Sequence, residues 1–285
     1  MTAKTTLVLG GTGKTGRRVA ERLRARKISV RLGSRSGAPP FDWEAPGTWP
    51  AVLQDVGAVY VAYYPDVAAP GAADVIRSFT NLAVASGVSR LVLLSGRGEV
   101  EAERSEQMVR DSGVDWTFVR SSWFSQNFSE NFLLEPILTG EVALPVGAVG
   151  EPFVDADDIA DVAVAALTED RHRGQIYELT GPRLWTFADA VAEIARVTHR
   201  DIRFVEIPIE AYVSALERAQ LPPDFVSLVR YLFTELFDGR NASVEDGVTR
   251  ALGRPPRDFA DYVRDTAATG VWNADVAAAQ SLAVK

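Results

Sequence analysis

Residues 7–16 read LVLGGTGKTG, a short apolar run that leads directly into a cluster of glycines. The run at residues 6–9 predicts a buried strand of a parallel sheet, and a helical pattern follows the glycines. Because glycine has no Cβ, such a turn can be tight and can admit a pyrophosphate beside the positive end of the helix. We therefore predict a dinucleotide-binding turn whose contacts are Gly10, Thr12, Gly13, Lys14, Thr15 and Gly16.

The sequence Gly13-Lys14-Thr15 also permits a second interpretation, a P-loop for a nucleoside triphosphate. A P-loop needs a further glycine five residues before its Gly-Lys pair, and Val8 occupies that position. Val8 lies within the predicted strand, so no phosphate-binding loop could form there. This argument excludes a nucleoside triphosphatase.

The end of the second predicted strand distinguishes NADP from NAD. NAD-binding domains usually place an acidic residue there to bind the ribose hydroxyls, but residues 31–36 read RLGSRS. A guanidinium and hydroxyl groups suit a 2′-phosphate instead. We predict NADP(H), with Arg35 as the main contact, Ser34 in support and Arg31 as a weaker candidate. The alternative is that Arg35 is a solvated loop arginine.

Strand and helix patterns alternate through the first half of the chain. Further strands are predicted at residues 28–32, 58–62, 90–94 and 115–119, with a short edge strand at 41–43. Helices are predicted at residues 67–86 and 99–112. This alternation predicts an α/β Rossmann fold with a doubly wound parallel sheet.

Beyond Arg120 the pattern changes to short pieces separated by proline and glycine, with later helices at residues 155–167, 186–197 and 208–238. Thr186 is the expected N-cap of the helix at residues 186–197. The pattern predicts a small, mostly helical C-terminal substrate lobe. We expect an NADP-binding Rossmann domain over residues 1–154. Residues 155–285 would then hold the remaining sheet elements, interleaved with the substrate-binding lobe.

Composition limits the possible partners. The chain of 285 residues has 30 basic and 38 acidic side chains, a net charge of −8, and no cysteine. The acidic balance argues against nucleic acid as a partner, and the lack of cysteine excludes disulfides and thiolate zinc sites. No run reaches the ~18 apolar residues of a membrane span, and the N-terminus has no signal-peptide core. We expect a cytoplasmic protein with a small-molecule substrate and no membrane partner.

Two groups of polar residues are candidates for metal binding or proton transfer. Aspartates 155, 157, 158 and 161 begin a predicted helix, where carboxylates complement the helix dipole; we interpret them as structural and predict no metal site. A Tyr-x-x-x-Lys pair often protonates carbonyl substrates on this fold, but residues 99–112 contain neither tyrosine nor lysine. Ser95, at the end of the preceding strand, remains the candidate catalytic hydroxyl, with a bond to its own backbone as the alternative.

The combination of several segments resembles the NmrA-like atypical short-chain dehydrogenases. The segments are GGTGKTG at 10–16, SGVDWTFVR at 112–120, WFSQNF at 123–128, PFVDADDIA at 152–160 and LTGP at 179–182. Phe41-Asp-Trp43 and Thr48-Trp49 narrow the resemblance to the branch with the agroclavine and festuclavine dehydrogenases. The likeness covers residues 5 to 265, nearly the whole chain.

The resemblance implies an NADP-binding Rossmann domain with a small substrate lobe and no tyrosine–lysine pair. It further implies that the nicotinamide is surrounded by Ala62, Tyr63, Ser95, Gly96, Phe124 and Asn127. The substrate pocket is expected to be lined by Tyr64, Trp123, Phe124 and Asn127. In that branch the substrate is an iminium ion, whose positive charge lets hydride add without a protein acid. We do not transfer the alkaloid substrate itself, because pockets diverge faster than folds.

Three hypotheses follow for the function. The first is an NADPH-dependent reductase of an imine, an iminium or a quinone-like molecule. The second is a non-catalytic, NADP(H)-sensing regulatory protein. The absence of a Tyr-x-x-x-Lys pair is compatible with both of these hypotheses. The third, an epimerase with tightly held NAD, is disfavoured by Arg35. The helix at residues 99–112 is too charged for a dry helical interface, so we expect a monomer.

Overall fold

The computed structural model describes residues 4–273 of the chain. Its strands are Thr5–Leu9 (β1), Val30–Gly33 (β2), Val56–Val61 (β3), Arg90–Gly96 (β4), Asp115–Ser121 (β5), Glu141–Leu144 (β6), Gln175–Leu179 (β7) and Arg203–Glu206 (β8). Its α-helices are Lys14–Ala25 (α1), Trp49–Val52 (α2), Ala72–Ala85 (α3), Val100–Asp111 (α4), Leu134–Thr139 (α5), Ala156–Thr168 (α6), Phe187–Thr198 (α7), Ile209–Arg218 (α8), Pro223–Tyr231 (α9), Gly247–Leu252 (α10) and Phe259–Ala268 (α11). None of the helices in this part of the chain is both long and apolar enough to cross a membrane.

Six strands form one parallel sheet in the order β2-β1-β3-β4-β5-β7. From β1 the chain first crosses outward to β2 and then returns to the opposite side for β3. The carboxyl ends of all six strands therefore meet at one edge, and the order reverses between β1 and β3. Ligands of doubly wound sheets bind at such a reversal point. The predicted Rossmann fold is confirmed.

The sheet forms because its central strands are apolar on both faces. Leu7, Val59 and Leu91 lie side by side in register across β1, β3 and β4, and all three are fully buried. Helices cover such strands on both sides in a parallel sheet, which is why the strands read as continuous apolar runs rather than alternating ones.

Two compact units are present, and each is assembled from separate stretches of the chain. The first, which we call the sheet unit, comprises the residues up to Ser121, Ala156–Leu179 and Glu245–Pro255. The second, the helical unit, comprises Ser122–Asp155, Thr180–Val244 and the residues from Pro256 onward. It contains the two-stranded parallel pair of β6 and β8. The sequence-based division expected interleaving only beyond residue 154, whereas Ser122–Asp155 already belongs to the helical unit.

The predicted edge strand at residues 41–43 is wrong, because this segment is a loop. The backbone of Asp42 is bound locally: its N–H donates to Thr48 Oγ1 at 3.1 Å, and its carbonyl accepts from Trp49 Nε1 at 2.8 Å. Phe41 and Trp43 are buried, and their rings pack on Phe79 at centroid distances of 5.8 and 5.3 Å. The apolar pattern of residues 41–43 therefore reflects packing in the core and not a strand.

Other elements differ less from the prediction. Helix α3 begins at Ala72 instead of residue 67, since the preceding residues form turns that end at Gly71, with a φ of +83°. Thr186 is the predicted N-cap of α7, and it forms a reciprocal capping box with Asp189. The short strands β6 and β8, and helices α10 and α11, had no prediction, because their apolar periods are brief.

The aspartates at the start of α6 bind arginines within the sheet unit. Arg22 of α1 binds Asp157 and Asp161, each at 2.6 Å, and Arg254 binds Asp158 and Asp161 at the same distance. These carboxylates thus tie α6 to α1 and to the segment after α10, a structural role as interpreted.

A fully buried histidine lies beside β7 in the sheet unit. The Nδ1 atom of His172 is 2.8 Å from the Tyr177 hydroxyl, while Nε2 has no hydrogen-bond partner among the described residues. Burial lowers the pKa of His172 below its ordinary value, and the nearby Arg171 charge acts in the same direction. Folding therefore disfavours the protonated imidazole, although the nearby Glu169 carboxylate acts in the opposite direction.

We expect the free energy of unfolding to fall as the pH drops below about 6.5, where unfolded histidine gains a proton that folded His172 resists. The stability that neutral His172 contributes is fully present above the pKa of histidine in the unfolded chain. It is lost as the pH falls toward the lower pKa of folded His172. Denaturant unfolding across this window should show a steeper decline for the wild type than for His172→Asn. His199→Asn, at the exposed end of α7, is the control and should keep the wild-type slope. Equal slopes in wild type and His172→Asn would contradict the assignment.

Candidate functional site

The glycine-rich turn lies at the carboxyl end of β1, as the sequence predicted. Gly10 has a φ of +64°, and its carbonyl accepts a hydrogen bond from the Gly13 N–H at 2.8 Å. Helix α1 follows at Lys14, and Gly13 precedes it in an extended conformation. No side chain caps this N-terminus, and its first turn contains no acidic residue. The positive end of the helix dipole is therefore not countered by a carboxylate of the helix's own first turn.

Close backbone packing makes glycine necessary in this turn. A Cβ added to Gly16 would lie 2.7 Å from the Gly10 carbonyl carbon and closer still to its oxygen. A Cβ on Gly10 would lie 3.2 Å from the Cβ of Ala62, which follows β3. The turn is thus a cradle of bare backbone at the reversal point between β1 and β3, which fits a dinucleotide pyrophosphate. Val8 lies buried within β1, so the P-loop interpretation stays excluded.

The end of β2 presents two of the predicted cofactor contacts. Arg35 is exposed, and its guanidinium carbon lies 5.8 Å from the ring centroid of Tyr64, which is 68 % exposed. Ser34 is partly buried beside it. Arg31, the weaker candidate, donates from Nη1 to the carbonyls of Val52 and Gln54 at 2.8 and 2.6 Å. Arg31 therefore anchors the end of α2.

The residues after β3 differ in exposure. Tyr63 is partly buried, and its ring packs against Trp43 at a centroid distance of 4.9 Å. Tyr64, the next residue, faces solvent and Arg35. Tyr64 was predicted in the substrate pocket and Arg35 at the 2′-phosphate, but the structure brings the two side chains together.

Ser95, the predicted catalytic hydroxyl, is buried at the end of β4. Its Oγ donates to Glu106 Oε1 of α4 at 2.7 Å. The guanidinium of Arg120 donates to both Glu106 oxygens, at 2.8 and 2.7 Å. Arg120 also reaches Glu178 at 3.3 Å. The hydroxyl proton of Ser95 is thus directed into a buried ionic network and not toward the sheet edge.

Two carboxyl groups at this edge were missed by the sequence reasoning. Asp66 follows β3 and accepts the Ala68 N–H at 2.8 Å, and Glu99 follows β4 at the start of α4. Burial, and then the charge of Asp66, raise the pKa of Glu99 well above its ordinary value. Burial also raises the pKa of Asp66, although the Ala68 N–H and the charge of Lys14 act against it. The signal in the sequence is an acidic residue just past each of two adjacent strands, whereas Glu99 is predicted above only as the first residue of a helix.

The remaining predicted residues belong to the helical unit. Trp123 packs against Phe187, Phe233 and Phe237 at centroid distances of 5.8, 6.0 and 5.2 Å, and its indole nitrogen has no partner among the described residues. Phe124 forms a backbone bridge with Val154. Asn127 is buried in the 3-10 turn at Ser125–Phe128.

A Gly16→Ala variant should lose about 2–3 kcal/mol of stability, because the added methyl group meets backbone atoms that cannot move aside. The same clash should disturb the turn and weaken NADPH binding. Denaturant unfolding and NADPH fluorescence titration measure the two effects. Gly47→Ala is the matched control, since a Cβ there meets nothing within 4 Å. The cradle is refuted if Gly16→Ala matches this control in both measurements.

Comparison with known proteins agrees with this geometry. The NAD(P)H-binding family matches residues 10–170. Agroclavine dehydrogenase of Claviceps fusiformis is 31% identical over 94% of this chain and 98% of its own length. NAD(P)H azoreductase of Xenophilus azovorans is 31% identical over 92% of this chain and 98% of its own.

Among solved structures, the NADPH-dependent quinone oxidoreductase of Escherichia coli, complexed with NADPH, shares the fold. It has a TM-score of 0.76 and 21% identity, over 91% of this chain and 98% of that one. The predicted binding of a nicotinamide dinucleotide, NAD(P)H, is confirmed by the family match. The chain belongs to the NAD(P)H-binding family and is an NAD(P)-dependent oxidoreductase.

Proposed function

We propose that this protein is an NADPH-dependent reductase that delivers hydride to a small imine, iminium or quinone-like acceptor. One observation carries the proposal. A complete glycine cradle lies at the edge where the parallel strands end, and α4, the helix that follows β4, contains neither tyrosine nor lysine. Acceptors that are already electron-poor depend less on a strong protein acid than an isolated ketone does. The names of the azoreductase, the agroclavine dehydrogenase and the quinone oxidoreductase support this range of acceptors.

The preference for NADPH rests on the end of β2. Arg35 is exposed and has no ion pair among the described residues, so its guanidinium can take a phosphate without breaking another contact. Ser34 adds a hydroxyl donor, and no acidic residue stands nearby in residues 31–36. We assign Tyr64 to this same end of the cofactor, because its ring lies against Arg35. This assignment replaces the expected place of Tyr64 in the substrate pocket.

The nicotinamide end is assigned to the carboxyl ends of β3 and β4. Ala62 and Gly96 offer backbone and small surfaces there, and Tyr63 forms a wall that packs on the core. Ser95 serves as a positioning residue in this proposal, since its proton is committed to Glu106. The bound cofactor supplies the hydride; the chain binds its phosphates, fixes its orientation and keeps the site dry.

From the family resemblance, we assign Trp123, Phe124 and Asn127 to the lining of the proposed substrate pocket. The indole nitrogen of Trp123 supports a polar contact with a ligand, because it has no partner among the described residues. The surrounding rings favour a flat organic acceptor.

An Arg35→Ala variant should bind NADPH about 10- to 100-fold more weakly, since a charge-assisted contact with the phosphate contributes about 1.5–3 kcal/mol. NADH, which lacks the phosphate, should bind with unchanged affinity. Fluorescence titration of both cofactors measures the effect. Arg24→Ala, which removes an exposed arginine near the other end of α1, is the control for net charge. A parallel loss of NADPH and NADH binding would refute the phosphate contact.

The reaction is tested with a panel of acceptors, in which oxidation of NADPH is followed by its absorbance. A cyclic iminium, a para-quinone and an azo dye represent the proposed classes, and an isolated ketone is the negative control. We expect turnover with at least one of the first three, and at least about 100-fold slower reduction of the ketone. Inactivity with the whole panel, together with tight NADPH binding, would favour the NADP(H)-sensing alternative.

A further inference from the structure

Asp66 and Glu99 lie past the ends of two adjacent strands of the sheet unit. Strands β3 and β4 are parallel neighbours, so the segments that follow them emerge at the same edge as the glycine cradle. Asp66 is five residues past the end of β3, and Glu99 three residues past the end of β4. The nicotinamide end of the cofactor is assigned to this part of the edge.

The Glu99 carboxyl folds back onto the end of its own strand. A Cβ added to Gly96 would lie 2.7 Å from Glu99 Oε2, so the carboxyl occupies the space that a larger residue at position 96 would need. Glu99 is only 8 % exposed, and its Oε2 has no hydrogen-bond partner among the described residues. A buried carboxylate without donors is costly, whereas a neutral carboxyl has a proton of its own to donate.

The two carboxyl groups divide the roles of acid and base. Asp66 receives a backbone N–H and the field of Lys14, both of which favour its ionised form. Glu99 has neither, and the charge of Asp66 raises its pKa further. The charged groups that act on this pair, among the described residues, are its own two members and Lys14. Arg97, close in sequence, is directed instead to Glu178 and Glu245.

We propose that Glu99 is a catalytic acid of this protein and gives a proton to neutral acceptors as they are reduced. This inference rests on the proposed function. For a quinone, a bound NADPH would supply the hydride together with the electron pair of the bond that it leaves, and this pair would form the new bond to the quinone. The opposite oxygen of the quinone would take the proton of Glu99. Glu99 is left ionised and regains a proton from water. An azo group accepts hydride and proton in the same way at its two nitrogens.

An iminium acceptor distinguishes this role from a structural one. Its C=N⁺ becomes a neutral amine when hydride adds, so no proton is needed. Glu99 should therefore matter for neutral acceptors and not for cationic ones. The protein would reduce neutral and cationic acceptors at one site, and Glu99 would contribute to the rate only with the neutral ones.

The test compares wild type with Glu99→Gln, a neutral side chain of the same shape, on a para-quinone and on a cyclic iminium. We expect the single-turnover rate with the quinone to fall by about 100-fold or more, while the rate with the iminium and the affinity for NADPH stay unchanged. In the wild type, the quinone rate should decline as the pH rises through the pKa of Glu99; this decline should move to lower pH in Asp66→Asn. Glu21→Gln, on the exposed face of α1, is the control.

A readout independent of turnover is the infrared carbonyl band of a protonated carboxyl in the ligand-free protein at neutral pH. The band should be present in the wild type and in Glu21→Gln and missing in Glu99→Gln. Its absence from the wild type, or an equal loss of rate on both acceptors, would overturn the proposal while leaving the reductase function standing. Inactivity of the wild type on both acceptors would instead remove the proposed function, and the catalytic acid with it.

Discussion

The contact between the first turn of α1 and the carbonyl of Gly10 is the constraint on which the site depends. Gly16 packs so closely on Gly10 that no side-chain atom fits between them. This approach fixes where the helix begins relative to β1, and hence where its N-terminal N–H groups lie. Because β1 pairs with both β2 and β3, the same contact positions the ends of these two neighbouring strands around the cradle.

Buried charge is arranged in two different ways in the sheet unit. In the network of Ser95, Glu106, Arg120 and Glu178, each carboxylate has a guanidinium partner, and these contacts hold α4 against β4, β5 and β7. Removing one partner from a buried pair of this kind typically costs about 3–5 kcal/mol. Glu99 lies in the same helix region but has no cationic partner in the described residues. One glutamate is therefore suited to structure and the other to proton exchange.

This arrangement gives a physical reason why the tyrosine–lysine pair can be absent. A lysine lowers the pKa of a tyrosine so that it can act near neutral pH, whereas burial and a neighbouring aspartate raise the pKa of a glutamate toward the same range. The two routes shift the pKa of a weak acid in opposite directions, down for the tyrosine and up for the glutamate. The second route needs no residue at the start of the helix except Glu99 itself.

The sequence by itself determined the Rossmann fold, the cofactor turn and the family, because these depend on local spacing: apolar runs of strand length, and glycines between a strand and a helix. It also identified Thr186 as an N-cap, which is a local hydrogen-bonding property. Only the tertiary structure decided which side chains meet. Phe41 and Trp43 alternate like a strand but pack in a core, and Tyr64 lies against Arg35 although 28 residues separate them. The closeness of Asp66 and Glu99 likewise follows from the pairing of β3 with β4, which sequence spacing does not encode.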